Sequence, residues 1–230
     1  MENNLNIIKV GVTNCYLLKS NSLNILIDTG YKGKAKIILD FLEDNGISPK
    51  NIGLIILTHA HYDHIGNAQE LKKITDAKIL LHKEDLQLLD SGLTGKMSTK
   101  PLNAWGKILL NKVSSIDTSF NPLKPDIIID SEFDLISYGI NGRIIPTPGH
   151  SKGSISVILD SGDAFIGDLA MNGLPLRLGA GEPIFGEDIN QIYQSWKKLI
   201  ESEIHTLYPS HGNHFNITVL KKILLTKGYL

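Results

Sequence analysis

Four residues of the kinds that bind divalent metals fall within six positions of this chain, in the pattern H-x-H-x-D-H: His59, His61, Asp63 and His64. The apolar residues 54–57 directly precede the pattern and are typical of a buried strand. Positions 59 and 61 are two apart, so in extended backbone both side chains would project to the same side and could bind one ion. Imidazole and carboxylate suit zinc, and iron and manganese also accept them. The pattern therefore predicts a metal site at a strand end.

Asp63 and His64 follow the strand, and a loop there could turn them toward a second ion. Each residue alone also has a simpler interpretation, because surface histidines are common and Asp63 could be the N-cap of a helix that begins near Ile65. The four residues together, at this spacing and after a buried strand, favour the metal site. One strand end could thus serve two metals.

The composition is that of a soluble globular protein. A chain of 230 residues with 42% hydrophobic residues can form one domain or two small ones with a sizeable core. A formal net charge of -1 gives no general electrostatic reason to expect nucleic acid or an anionic membrane as a partner. Cys15 is the only cysteine, which excludes an internal disulfide and a multi-thiolate metal site. No secretory signal or membrane span is evident. We expect a cytoplasmic protein, and a homo-oligomer is compatible with the sequence.

Short apolar runs and helical spacing of apolar residues predict alternating strands and helices. They come in two successive sets without a break in composition, so one compact α/β domain is the simplest arrangement. The predicted strands are residues 5–10, 15–18, 25–27, 54–57, 78–81, 127–129, 133–136, 143–145, 154–159, 164–166 and 206–208. The predicted helices are residues 34–45, 67–74, 83–89, 188–200 and 217–225.

Residues 91–125 interrupt this alternation and are interpreted as an insertion. They contain five lysines and Asp117 as the only acid, and Trp105, Ile108, Leu109 and Val113 could line one side of a helix. Long insertions in compact domains are often functional. The sequence leaves open whether this one is a mobile lid or a helix packed permanently on the core. Residues 171–186, rich in Gly and Pro, are predicted to be an irregular loop.

Three further candidate metal ligands lie at predicted strand ends. His150 stands in P-G-H-S after the strand at 143–145, Asp168 follows the strand at 164–166, and His211 stands in S-H-G after the strand at 206–208. Each alone could be a turn residue or helix cap. His214 could in principle replace His211, which is preferred because it follows the strand more closely. His82 and His205 are interpreted as ordinary residues at element ends.

Together these motifs make the chain resemble the metallo-β-lactamase-fold superfamily. A D-T-G turn at Asp28, H-x-H-x-D-H, P-G-H-S, G-D and S-H-G occur in the family's order over residues 28–211. The resemblance implies a single-domain, four-layer αββα sandwich with two metals at one edge between the sheets. It implies that His59, His61 and His150 hold the first metal, that Asp63, His64 and His211 hold the second, and that Asp168 bridges them. Asp28 would orient a ligand through a hydrogen bond.

Such a pair of divalent cations would imply hydrolysis. Two cations about 3.5 to 4 Å apart can share a water and lower its pKa to roughly 7, so that a bridging hydroxide attacks a carbonyl or phosphoryl centre. Asp63 could take or return the proton. In the family, oxygen-reducing diiron members favour an acid at the position of His61. Many true β-lactamases of the fold use a cysteine at the second metal or lack the bridging Asp. The residues here therefore favour a hydrolase that is not a β-lactamase.

The substrate is predicted less sharply. The metal motif is similar to that of glyoxalase II and acyl-homoserine lactonases, and Trp105 with the apolar insertion would suit a small ester, thioester or lactone. Arg177 could bind a substrate carboxylate or phosphate, or could simply pin a loop. The lysines of residues 91–125 motivate an alternative, a phosphodiesterase or ribonuclease. A redox or sensor protein that uses the same metal site is a third hypothesis.

Overall fold

Two six-stranded sheets form the centre of the computed structural model, which describes residues 5–89, 100–113, 115–173 and 177–230. The first sheet consists of β1 (Leu5–Val10), β2 (Thr13–Leu18), β3 (Asn24–Ile27), β4 (Ile52–Ile56), β5 (Lys78–His82) and β7 (Ile127–Ile129). The second consists of β8 (Phe133–Asp134), β9 (Gly142–Pro146), β10 (Ile155–Leu159), β11 (Asp163–Gly167), β13 (Thr206–Pro209) and β14 (Phe215–Asn216). The strand order is β1-β2-β3-β4-β5-β7 in the first sheet and β14-β13-β11-β10-β9-β8 in the second. Strands β3, β4, β5 and β7 run parallel, and in the second sheet β11 and β13 do.

Seven α-helices connect or cover these strands in the described part of the chain. They are α1 (Ala35–Asp44), α2 (Tyr62–Ile65), α3 (Ala68–Thr75), α4 (Leu86–Leu89), α5 (Ala104–Val113), α6 (Ile189–Ile200) and α7 (Thr218–Thr226). Gly46 follows α1 with a φ of 64°, a left-handed conformation that commonly ends a helix. Asp188 caps α6, because its side chain accepts hydrogen bonds from the backbone N–H groups of Asn190 and Gln191.

The layers follow from the alternation of side chains along the strands. In β2, Tyr16 and Leu18 point toward the second sheet, whereas Leu17 points toward the helices. The core between the sheets includes Phe165 of β11. Helices α1 and α3 cover the outer face of the first sheet, and α6 and α7 cover that of the second. The predicted four-layer αββα sandwich is thus confirmed.

The described part of the insertion lies outside both large sheets. A short strand β6 (Lys100–Pro101) pairs with β12 (Phe185–Gly186), and α5 follows it at the position where a helix was predicted. Trp105 and Ile108 of that helix are exposed, at 45% and 66%, whereas Leu109 is half-buried. The side chain of Val113 and residues 90–99 lie outside the described part. Lid motion stays a prediction.

Two local predictions were wrong, and three short strands were not predicted. Asp63 is not an N-cap and not a loop residue, because it lies with His64 inside α2, whose N-cap is His61. The strand predicted for residues 133–136 ends at Asp134, and a 3-10 helix, Ile136–Tyr138, follows it. The two-residue strands β6, β12 and β14 were not predicted, because so short a segment has no periodicity to detect.

Among the residues that the structure describes, no helix is both long and apolar enough to span a membrane.

Candidate metal centre

The ends of five strands meet at one edge of the sandwich. Strands β3, β4, β9, β11 and β13 end just before Asp28, His59, His150, Asp168 and His211. Backbone hydrogen bonds join the sheets here, from Asn14 N to Ser210 O at 2.7 Å and from Ile155 N to Thr58 O at 2.9 Å. This edge is therefore held together independently of any ion.

All seven predicted ligands lie together at this edge, and all are buried. In each of three overlapping groups, one donor atom per residue lies within 4.8 Å of the donor atoms of the other two. The groups are His59, His61 and His150; His59, His64 and Asp168; and Asp63, His64 and His211. These overlaps make one continuous cluster of five imidazoles and two carboxylates.

The distances between donor atoms are 3.0 to 3.6 Å, close to those expected around bound metal ions. His150 Nε2 lies 3.0 Å from His61 Nδ1 and 3.6 Å from Asp168 Oδ2. The same Oδ2 lies 3.3 Å from His211 Nε2, and Oδ1 of Asp168 lies 3.5 Å from His64 Nε2. Ligands of a tetrahedral ion at 2.0–2.2 Å are separated from one another by about 3.3–3.6 Å. The residues expected at the first metal and those expected at the second form two halves of the cluster. Asp168 thus faces His150 in the first half and both His64 and His211 in the second.

Asp63 belongs to one half only. Its Oδ2 lies 3.3 Å from His211 Nε2 and 3.7 Å from His64 Nε2. Its side chain is 12% exposed, compared with 6% for Asp168. Asp63 is therefore the carboxylate of the cluster that is more accessible to solvent.

Four of the histidines are oriented by a hydrogen bond at the far side of the ring. His64 Nδ1 lies 2.8 Å from Asp28 Oδ2, so the hydrogen bond expected of Asp28 is present. His59 Nδ1 lies 3.1 Å from Thr58 Oγ1. The remaining two rings donate to backbone carbonyls at 3.0 Å, His150 to Phe185 O and His211 to Val12 O. Such contacts fix the ring direction and leave the other nitrogen facing the cluster.

The unsatisfied polar atoms of the cluster fit bound cations. Nε2 of His59, Nε2 of His64 and Oδ1 of Asp168 are buried and have no hydrogen-bond partner among the described residues. Burying a polar atom without a partner costs about 1–3 kcal/mol, so three in one place require an explanation. Divalent cations would satisfy these donor atoms, and the residues present are those that zinc accepts.

The pKa values divide the histidines into two sets. Burial lowers the pKa of His59 and His150, and that of His61 to about 3, so these rings stay neutral. Burial also acts against a charge on His211, but Asp168 and Asp63 outweigh it and raise the pKa of that ring to about 10. Burial likewise opposes a charge on His64, but Asp28, Asp63 and Asp168 outweigh it and raise the pKa of that ring.

The pKa values of the two carboxylates in the cluster are lowered. Burial alone would raise the pKa of Asp168, but His211 and His64 hold it well below the ordinary value. The same two histidines lower the pKa of Asp63. Both side chains are therefore ionised at neutral pH, and in the metal-free protein the protonated rings of His64 and His211 offset their negative charges.

Asp85 is a positioning residue that the sequence analysis missed. It is buried beneath two of the loops that carry the cluster. Its Oδ2 accepts hydrogen bonds from Ala60 N at 2.8 Å and Ser151 Oγ at 3.1 Å, and its Oδ1 accepts one from Gly153 N at 2.9 Å. One carboxylate therefore ties the loop of His59 and His61 to the loop that follows β9. An acid at the start of a helical turn gives no signal of this in the sequence.

Two glycines allow the chain to approach itself closely near the cluster. Gly212 has a φ of 96°, and a Cβ there would lie 1.1 Å from Asn172 O. Gly149 has a φ of 134°, and a Cβ there would lie 2.5 Å from Ile192 N of α6. Both conformations favour glycine, and both residues directly adjoin a histidine of the cluster.

The remaining histidines lie outside the cluster. His82 Nδ1 accepts a hydrogen bond from Glu84 N, and the ring of His205 packs against Gly162. His214 is exposed and its ring lies 5.4 Å from that of Tyr208. The preference for His211 over His214 thus agrees with the geometry. Arg177 and Trp105 line a separate cavity.

Comparison with known proteins identifies the family. A sequence model of the metallo-beta-lactamase superfamily matches residues 8–211. A probable metallo-hydrolase of Methanocaldococcus jannaschii is 32% identical over 206 residues, which are 87% of each chain. A beta-lactamase-like protein 2 homolog of Drosophila melanogaster is 29% identical over 201 residues, and the match spans 87% of this chain but only 59% of that protein.

Solved structures agree. An archaeal metallo-beta-lactamase superfamily protein from Sulfolobus tokodaii superposes with a TM-score of 0.70 at 25% identity, over 97% of this chain and 85% of that one. A family protein from Thermus thermophilus, at 18% identity and a TM-score of 0.71, shares the fold over 98% of this chain and 79% of that one. The chain therefore belongs to the metallo-β-lactamase superfamily and is a metal-dependent hydrolase.

Proposed function

We propose that the protein is a dinuclear hydrolase that cleaves a small ester, thioester or lactone. The observation that carries this proposal is the position of Asp168, whose two oxygens face histidines of both halves of the cluster. His59, His61 and His150 would hold the first ion, and Asp63, His64 and His211 the second. Asp168 would serve both. Two such ions would supply Lewis-acid polarisation of the substrate and a water acidic enough to react at neutral pH.

The side chains of the cluster have separate tasks in this proposal. Asp63 is the more exposed carboxylate of the cluster. It would accept a proton from the attacking water and return it to the leaving group. Hydrogen bonds fix the orientation of four of the imidazole rings. The partners are Asp28, Thr58 and the backbone carbonyls of Phe185 and Val12. Because the rings of His59, His61 and His150 are neutral without any ion, they can bind one without first losing a proton.

The residue types support hydrolysis and zinc. His61 supplies a neutral nitrogen rather than a carboxylate, and an all-histidine first half with carboxylates in the second half suits zinc, although iron and manganese also accept these ligands. Cys15 is buried and free, which accords with a reducing compartment such as the cytoplasm. The proposed partner is a small-molecule substrate, and the two ions are proposed cofactors.

The experiment combines metal analysis with a substrate panel. Active protein should contain two equivalents of divalent metal and should hydrolyse p-nitrophenyl esters, thioesters or lactones faster than bis(p-nitrophenyl) phosphate. His61→Ala should reduce ester hydrolysis by more than ~100-fold, since even partners outside the metal shell are worth 10–100-fold in metal affinity. His214→Ala, which changes an exposed histidine outside the cluster, is the matched control and should leave the rate unchanged.

Three results would contradict the proposal. One is full ester hydrolysis by the His61→Ala protein. Another is preferential turnover of the phosphodiester, which would favour the alternative function. The third is an iron-loaded protein that consumes oxygen and hydrolyses none of the panel.

A further inference from the structure

A cavity of about 510 Å³ lies between α5 and the loop that follows Asp168. Its apolar lining includes Trp105, Leu178 and Ile184, and its polar lining includes Asn103, Arg177 and Glu182. This volume is in the range of small-molecule sites, which combine an apolar wall with a few polar groups. None of the seven residues of the metal centre lines it.

Arg177 brings a positive charge to this cavity, and no carboxylate of the described residues pairs with it. Its guanidinium donates from Nη1 to the backbone carbonyl of Glu182 at 3.0 Å. Its Nε is buried and has no hydrogen-bond partner among the described residues. A half-buried cation without a counter-charge among the described residues makes the cavity electrostatically complementary to an anion.

The carboxylate of Glu182 does not neutralise Arg177, because it contacts two other side chains. Lys227 Nζ lies 3.1 Å from Glu182 Oε1, and the hydroxyl of Tyr193 donates to the same oxygen. These contacts fasten the loop to α6 and to the C-terminal end of α7. They also fix the carbonyl that holds Arg177. The guanidinium further lies against Gly181, where a Cβ would come within 2.7 Å of Nη2.

The wall of the cavity is continuous with the metal centre. Ile184 lines the cavity, and the next residue, Phe185, provides the carbonyl to which His150 donates. Gly181 pairs with Met171, three residues after Asp168. The backbone of Leu102, beside α5, donates to Ile184 O at 2.9 Å. The same short segment therefore forms the cavity and orients a candidate ligand.

We propose that this cavity binds an amphipathic monocarboxylate, with its carboxylate on Arg177 and its hydrocarbon part against Trp105, Leu178 and Ile184. A single guanidinium with no carboxylate partner in the described ranges matches one negative charge, and its fork suits a planar carboxylate. The statement that this molecule is the substrate of the metal centre, an ester or lactone with a free carboxylate, rests on the proposed function. Binding in the cavity does not.

Trp105 provides a local readout of binding. It is 45% exposed, whereas Trp196, the other tryptophan, is fully buried, so iodide can quench only Trp105. Octanoate bound in the cavity should shield Trp105 from iodide, and octanol should shield it less. A carboxylate that binds only at the metal centre should give no shielding. The measurement uses the protein as purified, with its metals.

Arg177→Gln should weaken the apparent affinity for octanoate about 10- to 100-fold, the loss expected for a charge-assisted hydrogen bond. Arg177→Lys should give an intermediate loss, because it keeps the charge but not the fork. Arg143→Gln is the matched control, since Arg143 is the only other arginine and pairs with Glu132 on the second sheet. Leu178→Glu is a second variant, and it should also weaken octanoate binding. Leu178 is 87% exposed, so this substitution should leave the stability of the fold unchanged.

Equal shielding by octanoate and octanol would overturn the proposal, and so would unchanged octanoate affinity in the Arg177→Gln protein. Tighter binding of octyl phosphate than of octanoate would overturn the preference for a carboxylate. If octanoate binds as expected but no ester is hydrolysed, the cavity is supported and the proposed function fails. If hydrolysis also occurs, Arg177→Gln should lower the preference for esters with a terminal carboxylate over neutral esters of equal length.

Discussion

Replacing Asp85 with asparagine should separate metal binding from folding. The carboxylate accepts hydrogen bonds from Ala60 N, Ser151 Oγ and Gly153 N. Asparagine has the same shape but only one acceptor oxygen. Whichever way its amide is turned, its NH₂ group meets a backbone N–H, that of Ala60 or that of Gly153. In either orientation one backbone N–H of these two loops therefore loses its acceptor, and the link between the loops is weakened.

The magnitude follows from two opposing effects on the folded protein. A buried N–H without an acceptor costs about 1–3 kcal/mol. Burial raises the pKa of Asp85, so ionisation weakens the folded state: the favourable contribution exists below the unfolded pKa and is lost as pH rises through the folded pKa. Uncharged asparagine removes that penalty at neutral pH. The free energy of unfolding of the metal-free protein should therefore fall by no more than about 3 kcal/mol, whereas metal affinity should fall about 10–100-fold.

Competition with a chromophoric chelator measures the metal affinity, and urea unfolding of metal-free protein measures the stability. Asp126→Asn is the matched control, because Asp126 also accepts a backbone N–H, from Ile79 at 2.8 Å, but does so at the start of β5. This control should lower stability without changing metal affinity. The reasoning is refuted if Asp85→Asn binds metal as the unaltered protein does, or if the two variants lose affinity in proportion to stability.

Three further predictions concern the cluster and its surroundings. In metal-free protein the pKa of His211 is raised to about 10, so its ring stabilises the fold below the unfolded pKa of about 6.5 and that contribution is lost as pH rises through the folded pKa. Metal binding must displace this proton, so calorimetry in buffers of different ionisation enthalpy should detect proton release, and constant affinity between about pH 7 and 9 would contradict this. Asp28→Asn should lower metal affinity about 10–100-fold by loosening His64, and unchanged affinity in a chelator titration would exclude that role. Gly212→Ala should destabilise the protein by more than ~2 kcal/mol in thermal unfolding, because its Cβ would overlap Asn172 O; Gly33→Ala, with a similarly positive φ but no neighbour within 4 Å, should cost less.

The sequence predicts the positions of the candidate ligands because they follow buried strands. His59, His150, Asp168 and His211 each come just after a strand whose apolar pattern is visible without a structure. Strand ends of stacked sheets meet at an edge, so residues far apart in the chain can be brought together. Periodicity alone does not tell which strand ends meet. The resemblance to the superfamily, which rests on the order of the motifs, implies it.

The surroundings of the cluster were not predictable in the same way. The carbonyls of Phe185 and Val12 act through backbone atoms, which any residue type would provide. Asp85 contacts Ala60 and Gly153 from 25 and 68 positions away. The helical turn that contains Asp63 has only four residues and forms through its tertiary contacts rather than its helix propensity. These features depend on packing between segments, on which sequence periodicity carries no information.

The measurement that tests the central claim most directly is a titration of divalent metal into metal-free protein, with ester hydrolysis followed at each addition. If Asp168 joins two ions, activity should reach its maximum only when two equivalents are bound, and Asp168→Ala should bind fewer ions and remain inactive at saturation. Full activity at one equivalent, or activity that does not depend on added metal, would contradict a dinuclear hydrolase.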